Sequence, residues 1–302
     1  MLPPSVASRQ LPLKGGAYFI YMKVKFMKTL YISDMDGTLL QNNGKMSEYT
    51  KEKLNEFYKK GIPFSVATAR SMVSATPLLE GVHFAAPIVL MNGVFVYDTE
   101  TKKAVKYHEI EHSALEKILN CFYEKNLHPF MFLYGDDYKL SLKYTEFDND
   151  GMKEFYDMRV DMLEGRFTQT DDMTVIPDGQ HPVYVNYYAL PQFLDEVVEK
   201  LKGIPEIDFA YYKDSYSDDW LVEIYANTAS KANGAKEVAE IVGAQSITAF
   251  GDNLNDLVML SGADTAVAVE NAVPQVKGIA DVIIGTNTDD SVVKYIIEKE
   301  NA

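Results

Sequence analysis

The chain has 302 residues, 47% of them hydrophobic and 24% charged, which is enough for a sizeable core and more than one compact domain usually holds. Its 29 Lys and Arg against 44 Asp and Glu give a formal charge of -15, a field that repels phosphate backbones and anionic membrane surfaces and argues against nucleic acid or membrane as partner. The same field opposes a small phosphorylated ligand, so a site for one needs local positive charge from a lysine or a bound cation.

Residues 1–26, with Pro3, Pro4, Gly15 and Gly16, read as a loose extension. Their apolar stretch Ala17–Met22 is too short to span a membrane and lacks a convincing cleavage site. The single cysteine, Cys121, cannot close an internal disulfide and sits in the helical run Leu119–Tyr123, where packing is the expected role and chemistry is not. One free thiol suits a reducing cytoplasm, the expected location, although it is tolerated elsewhere too.

From Met27 onward a short apolar run repeatedly stops at small polar residues, and a helical pattern usually follows. Leu30-Tyr31-Ile32 runs into Asp34, Phe64–Ala67 into Thr68, Ile88–Met91 into Asn92, and Ile247–Phe250 into Gly251-Asp252. Ala266–Val269 and Val282–Ile284 are further buried strands. Ser47 and Ser230 are credible helix N-caps, and Gly61 and Gly243 close the helices they open. This alternation predicts an α/β fold, a Rossmann-like parallel sheet with helices on both faces, over residues 27–97 and 217–302. Ligands of such sheets bind beyond the carboxyl ends of the strands, where Asp34, Thr68, Asn92 and Asp252 all fall.

Residues 98–216 interrupt that grammar. The pattern is a helix near Ser113–Asn126 with strands Phe130–Tyr134 and Tyr138–Tyr144, then strand Val183–Ala189, helix Phe193–Leu201 and strands Asp208–Tyr212 and Trp220–Tyr225. A helix followed by two strands, occurring twice, predicts an inserted α+β domain with a loose internal duplication. Its many tyrosines suit strand faces packed on helices, and could also stack on a sugar.

Two acidic clusters carry the chemistry. Ser33-Asp34-Met35-Asp36-Gly37-Thr38 places two carboxylates two residues apart where a strand ends; in an extended segment both would point the same way, while a turn beginning at Gly37 could let Asp36 present its backbone carbonyl instead. Gly251-Asp252-Asn253-Leu254-Asn255-Asp256 supplies the second at another strand end. Taken singly, each fits ordinary turn chemistry, because Asp, Asn and Gly favour turns. Together, each after an apolar strand, they predict an oxygen-lined site for a hard cation such as Mg²⁺, with one carboxylate left facing the substrate.

These motifs resemble the haloacid dehalogenase superfamily: Asp34–Thr38 its first signature, Thr68-Ala69-Arg70 the second, Ser230-Lys231 the third, and Gly251–Asp256 the fourth. Their order and the insertion after the third strand resemble the Cof-type sugar-phosphate phosphatase branch, from about Met27 to the C-terminus. The resemblance implies an Mg²⁺-dependent phosphomonoester hydrolase acting on small phosphorylated metabolites, with the insertion as a cap that sets specificity. Asp34 would be the nucleophile forming an aspartyl-phosphate, and Asp36 the general acid and base. Asp34, Asp36 and Asp252 would hold the metal, and Asp256 would orient its shell. Thr68, Lys231 and Asn255 would meet the phosphate, with Asn92 and Arg70 further candidates.

Two departures stand out. Ala69 occupies a position commonly glycine, and Ala232-Asn233-Gly234 follows Lys231 in place of an immediate glycine, which makes Lys236 the fallback phosphate-binding lysine. A sugar phosphomutase or other phosphotransferase is one rival, separable by a bisphosphate requirement. A phospho-acceptor regulatory module is another, disfavoured because Asp36 would promote turnover. A monomer or small homo-oligomer is expected.

Overall fold

The computed structural model describes residues 28–161, 163–213 and 218–301, so the expected extension over residues 1–26 lies outside the described residues. The first half of the core begins with β1 (Thr29–Ser33), buried from Leu30 onward, followed by an irregular turn over Met35–Leu39 and by α1 (Glu48–Lys60). Ser47 caps α1 by accepting the Thr50 N–H, and Gly61, at φ +71°, ends it by donating to the Phe57 and Tyr58 carbonyls. Then come β2 (Phe64–Val66), the single turn α2 (Met72–Ala75), β3 (Ile88–Leu90), β4 (Phe95–Asp98) and β5 (Lys103–Tyr107).

The insertion runs through α3 (His112–Tyr123), β6 (Phe130–Gly135), β7 (Leu140–Tyr144), α4 (Asp150–Arg159), β8 (Phe167–Gln169), β9 (Gln180–Ala189), α5 (Pro191–Leu201), β10 (Ile207–Lys213) and β11 (Trp220–Ala226). The chain then returns through α6 (Lys231–Val242), β12 (Ser246–Gly251), α7 (Leu257–Ser261), β13 (Thr265–Ala268), α8 (Pro274–Ile279), β14 (Val282–Ile283) and α9 (Ser291–Glu300).

The core sheet is parallel in the order β14-β13-β12-β1-β2, and a parallel bridge from Ala67 to Val89 joins it to β3. The antiparallel hairpin of β4 and β5 extends that edge. Tyr31 and Phe250 reach α9, which also packs on α1, while α6 lies against β1, β3 and β12 with α7 beside it. The expected α/β architecture with helices on both faces is the one observed.

The second sheet is antiparallel except where β7 meets β8, in the order β10-β11-β9-β6-β7-β8. The helix-then-hairpin pattern occurs twice, as α3-β6-β7 and α5-β10-β11, and α3 packs on α5. Strand pairing moves both expected boundaries of the insertion. β5, expected within it, pairs with β4 on the core edge, and β11, read among the insertion's strands although it falls beyond residue 216, does lie inside the second sheet. Lys103–Tyr107 is mostly exposed and shows no buried run, so nothing in its pattern marked this edge strand. Tyr134, Tyr184 and Tyr187 are core residues, whereas Tyr138 and Tyr212 are exposed. Among the described residues no helix is long and apolar enough to cross a membrane.

Candidate active site

β1 and β12 are hydrogen-bonded neighbours with Ser33 opposite Phe250, so Asp34 and Gly251-Asp252 leave the sheet side by side. The Asp34 N–H donates to the Phe250 carbonyl at 2.9 Å, which ties the first acidic motif to the last. Gly37 makes the close approach possible: at φ +78° it stands where a Cβ would lie 2.4 Å from Asp252 Oδ2. Thr38 Oγ1 donates to Asp252 Oδ1 at 2.9 Å, and Asn271 Nδ2 donates to the Gly37 carbonyl at 2.7 Å.

The third motif enters from α6. Ser230 caps that helix by accepting the Asn233 N–H, and Lys231, its first residue, points into the sheet's carboxyl end with only 2% of its side chain exposed. Its ammonium donates to Asp34 Oδ1 at 2.5 Å and to Asp256 Oδ1 at 2.7 Å. Asp256 is fully buried, and its Oδ2 accepts the N–H groups of Asp252 and Asn253. It therefore shapes the Asp252 loop and braces Lys231 at once. Lys236, the fallback lysine, is exposed on α6.

Burial, opposed by Lys231 and reinforced by Asp256 and Asp252, pushes the Asp34 carboxyl up to about 8. Burial also raises Asp252, to about 6, with Asp256 adding to it and the Thr38 hydrogen bond opposing. Burial works against the Lys231 ammonium, but Asp34 and Asp256 outweigh it and hold its pKa above the ordinary lysine value. Three carboxyl groups share one ammonium, so with all of them ionised the buried space would hold negative charge in excess. Oxygens of Asp34, Asp252 and Asp256 lie within 4.8 Å of one another. Hard oxygen donors, close spacing and surplus negative charge fit a divalent cation.

The two carboxylates of the first motif part company, as the turn at Gly37 allows and an extended segment would not. The segment after Asp34 is a tight turn, with Gly37 at a positive φ, and Asp36 is exposed. Arg70 Nε and Nη2 hold its two oxygens at 2.7 and 2.8 Å. Ala69 thus permits a definite geometry for Arg70, and its partner is a site carboxylate. Thr68 is buried, its Oγ1 accepting the Arg70 N–H at 3.1 Å, and its carbonyl accepts the Asn92 N–H at 3.0 Å.

Asn92 lies in a stretch of left-handed backbone, with Met91 at φ +49°, Asn92 at +54° and Gly93 at +100°. A Cβ on Gly93 would stand 2.2 Å from the Ser230 carbonyl, so this turn seats the start of α6. Asn255 is exposed on the one-turn segment Leu254–Asp256. The motifs thus bring Asp34, Thr68, Lys231, Asp252 and Asp256 to one end of the sheet. Thr38 was visible as the last residue of its motif without being picked out, and Asn271 had no signal beyond a lone polar residue. Cys121 is buried away from chemistry.

A family model described as haloacid dehalogenase-like hydrolase matches residues 31–296. A 5-amino-6-(5-phospho-D-ribitylamino)uracil phosphatase, YitU of Bacillus subtilis (strain 168), is 25% identical over 272 residues, 88% of this chain and 95% of that protein. The pyridoxal phosphate phosphatase YbhA of Escherichia coli (strain K12) is 23% identical over 279 residues, 87% of this chain and 95% of its own. Among solved structures, a phosphatase of the haloalkanoate (HAD) superfamily from Bacteroides thetaiotaomicron superposes with a TM-score of 0.70 at 17% identity, covering 93% of this chain and 98% of that one.

Proposed function

The chain belongs to the haloacid dehalogenase-like hydrolases, and from that premise we propose that it is a phosphatase of small phosphorylated metabolites, sugar phosphates foremost, working through an aspartyl-phosphate on Asp34. The observation that carries the reading is the buried ion triad of Lys231 with Asp34 and Asp256, set beside Asp252 at the carboxyl ends of adjacent strands. Full-length similarity to proteins named as phosphatases of phosphorylated small molecules supports it.

Lys231 grips Asp34 through Oδ1, which orients the carboxylate and leaves Oδ2 to attack phosphorus in line with the leaving oxygen. The phosphorus–oxygen bond to the leaving group breaks as the Asp34 bond forms, and Asp36 gives its proton to the departing alkoxide. Asp36 then takes a proton from water, which attacks the aspartyl-phosphate, releases inorganic phosphate and restores Asp34. Arg70 donates to both Asp36 oxygens, so the arginine sets where that carboxylate rests and must release one oxygen before Asp36 can carry the proton it gives. Thr68 Oγ1 accepts one backbone N–H and keeps its own proton for a phosphoryl oxygen. Asn92, bonded through its N–H to the Thr68 carbonyl, and Asn255 are further candidates for phosphate contact by their place in the motifs. Asp34, the Asp36 carbonyl and Asp252 would hold Mg²⁺, which when bound supplies charge to keep the acids ionised and to neutralise the transferring group. Asp256, with both oxygens engaged, acts behind them. Residues 108–226 would serve as the cap that reads the leaving group.

The test is Asp34→Asn assayed with an aryl phosphate and magnesium. Phosphate release should vanish while the far-ultraviolet spectrum and unfolding midpoint stay near wild type, and wild-type turnover in this variant removes the proposed nucleophile.

A further inference from the structure

A second polar group is buried where the inserted domain faces the core. β9 and β11 are antiparallel neighbours with Glu223 opposite Asn186, so their side chains stand together on one face of the second sheet. That face turns toward the core, and a cavity there is lined by Arg159, Asn186, Tyr188 and Glu223 on one side and by Ala69 and Met91 on the other. Ala69 follows Thr68 and Met91 precedes Asn92, so the cavity opens beside the phosphate-binding residues proposed above.

Asn186 is 2% and Glu223 is 9% exposed, yet Asn186 Oδ1 and Glu223 Oε2 have no hydrogen-bond partner among the described residues. The rest of Glu223 is anchored, since Tyr184 and Tyr212 donate to its carboxylate, and burial still raises its pKa above the ordinary value. Arg159 lies over the Phe155 ring, 3.5 Å from its centroid, and its charge acts on Glu223. Buried acceptors without partners are costly, and two of them side by side on the wall of one cavity mark a place built for a ligand's donors.

We propose that Glu223 and Asn186, with Arg159, read the leaving group of the phosphomonoester, selecting a neutral polyhydroxy group and rejecting one that carries a second anion. The inference rests on the phosphatase reading above. A hydroxyl suits the site because it donates to Glu223 Oε2 or Asn186 Oδ1 and can accept from the guanidinium in the same place. A carboxylate or second phosphate brings no donor and faces Glu223 charge to charge. The cavity measures about 60 Å³, room for the hydroxyl-bearing tip of a leaving group. A site that hydrogen-bonds hydroxyls in this way discriminates strongly against analogues that leave its polar groups unpaired.

The first arm uses the wild-type protein with magnesium and two substrates of equal chain length, glucitol 6-phosphate and 6-phosphogluconate. Preference for the neutral polyol in kcat/KM should be about tenfold or more. Equal use of the two overturns the proposal, and this arm needs no variant to fold. In the second arm Glu223→Gln should narrow that preference severalfold. Asn186→Leu should lower kcat/KM for glucitol 6-phosphate by about tenfold relative to phenyl phosphate, chiefly through KM. Ratios unchanged in both variants overturn the assignment even if the wild type prefers the polyol. Absence of magnesium-dependent phosphate release from phenyl phosphate by the wild type is a different result: it sinks the phosphatase reading itself, and the proposal with it.

Discussion

Gly37→Ala adds one methyl group at the point where the two acidic motifs touch, and its consequences can be separated into two parts. The backbone part is the cost of holding alanine at φ +78°, roughly 1–2 kcal/mol. The contact part arises because the new Cβ would lie 2.4 Å from Asp252 Oδ2 and 2.9 Å from its Cγ. Reaching an ordinary separation requires the carboxylate to shift by roughly 1 Å, and a displacement of that size at reacting groups costs on the order of 10²-fold in rate. Asp252 has little freedom to absorb it: Thr38 holds its Oδ1, Asp256 holds its N–H, and its carbonyl accepts from Val273. Gly61→Ala is the matched control, with φ +71° and nothing within 4 Å of the added Cβ. Urea unfolding should report similar stability losses for both variants, while steady-state assays over a magnesium titration should show lost turnover and weakened metal dependence in Gly37→Ala alone. If Gly37→Ala keeps kcat/KM and magnesium half-saturation within about twofold of wild type, the contact between the motifs is not what builds the site.

Lys231→Met removes the one ammonium from among three carboxylates and should destabilise the protein by ~3 kcal/mol, the range for breaking a buried ion pair, with a lowered unfolding temperature by calorimetry. A loss below ~1 kcal/mol would mean the triad carries no such burden. Asp34 and Asp252 have folded-state pKa values raised to about 8 and about 6, so each binds its proton more tightly folded than unfolded. Without divalent metal, the stability that these two acids contribute should therefore be fullest near pH 4 and be lost as pH rises through about 6 and then about 8. Magnesium, competing with those protons, should raise the unfolding temperature more at about pH 8 than at about pH 5, and an equal shift at both would separate the metal from these two acids. Asp36→Ala should lose most activity on substrates with poor leaving groups, and equal losses across a leaving-group series would refute its role as acid.

The core was legible in the sequence because its strands are buried on both faces and therefore read as unbroken apolar runs ending at small polar residues. Those endings carry the chemistry, so locating β1, β2, β3 and β12 also located Asp34, Thr68, Asn92 and Asp252. What stayed hidden is what the chain decides by distance and not by pattern. The Arg70–Asp36 pair joins residues thirty-four positions apart, and nothing local to either announces the other. The third motif marked Lys231 for the phosphate, but not its grip on Asp34 and Asp256, which depends on the Met91–Gly93 turn packed on Ser230 at the start of α6.

The inserted sheet obscured its polar residues more deeply. Glu223 is the one charge within Trp220–Ala226, and Asn186 is a lone asparagine within Gln180–Ala189; in each strand the alternation simply assigns the residue to one face. A period of two assigns the face but does not say whether that face meets solvent, a helix or another domain. Here it meets the mouth of the catalytic end, and two unremarkable strand residues become the groups best placed to tell one phosphate ester from another. Catalytic residues on strand ends can be shared by every member of a fold, whereas selectivity rests on which side chain a given chain puts at a register position that any polar residue could fill. Sequence therefore speaks early about the reaction and late about its substrate.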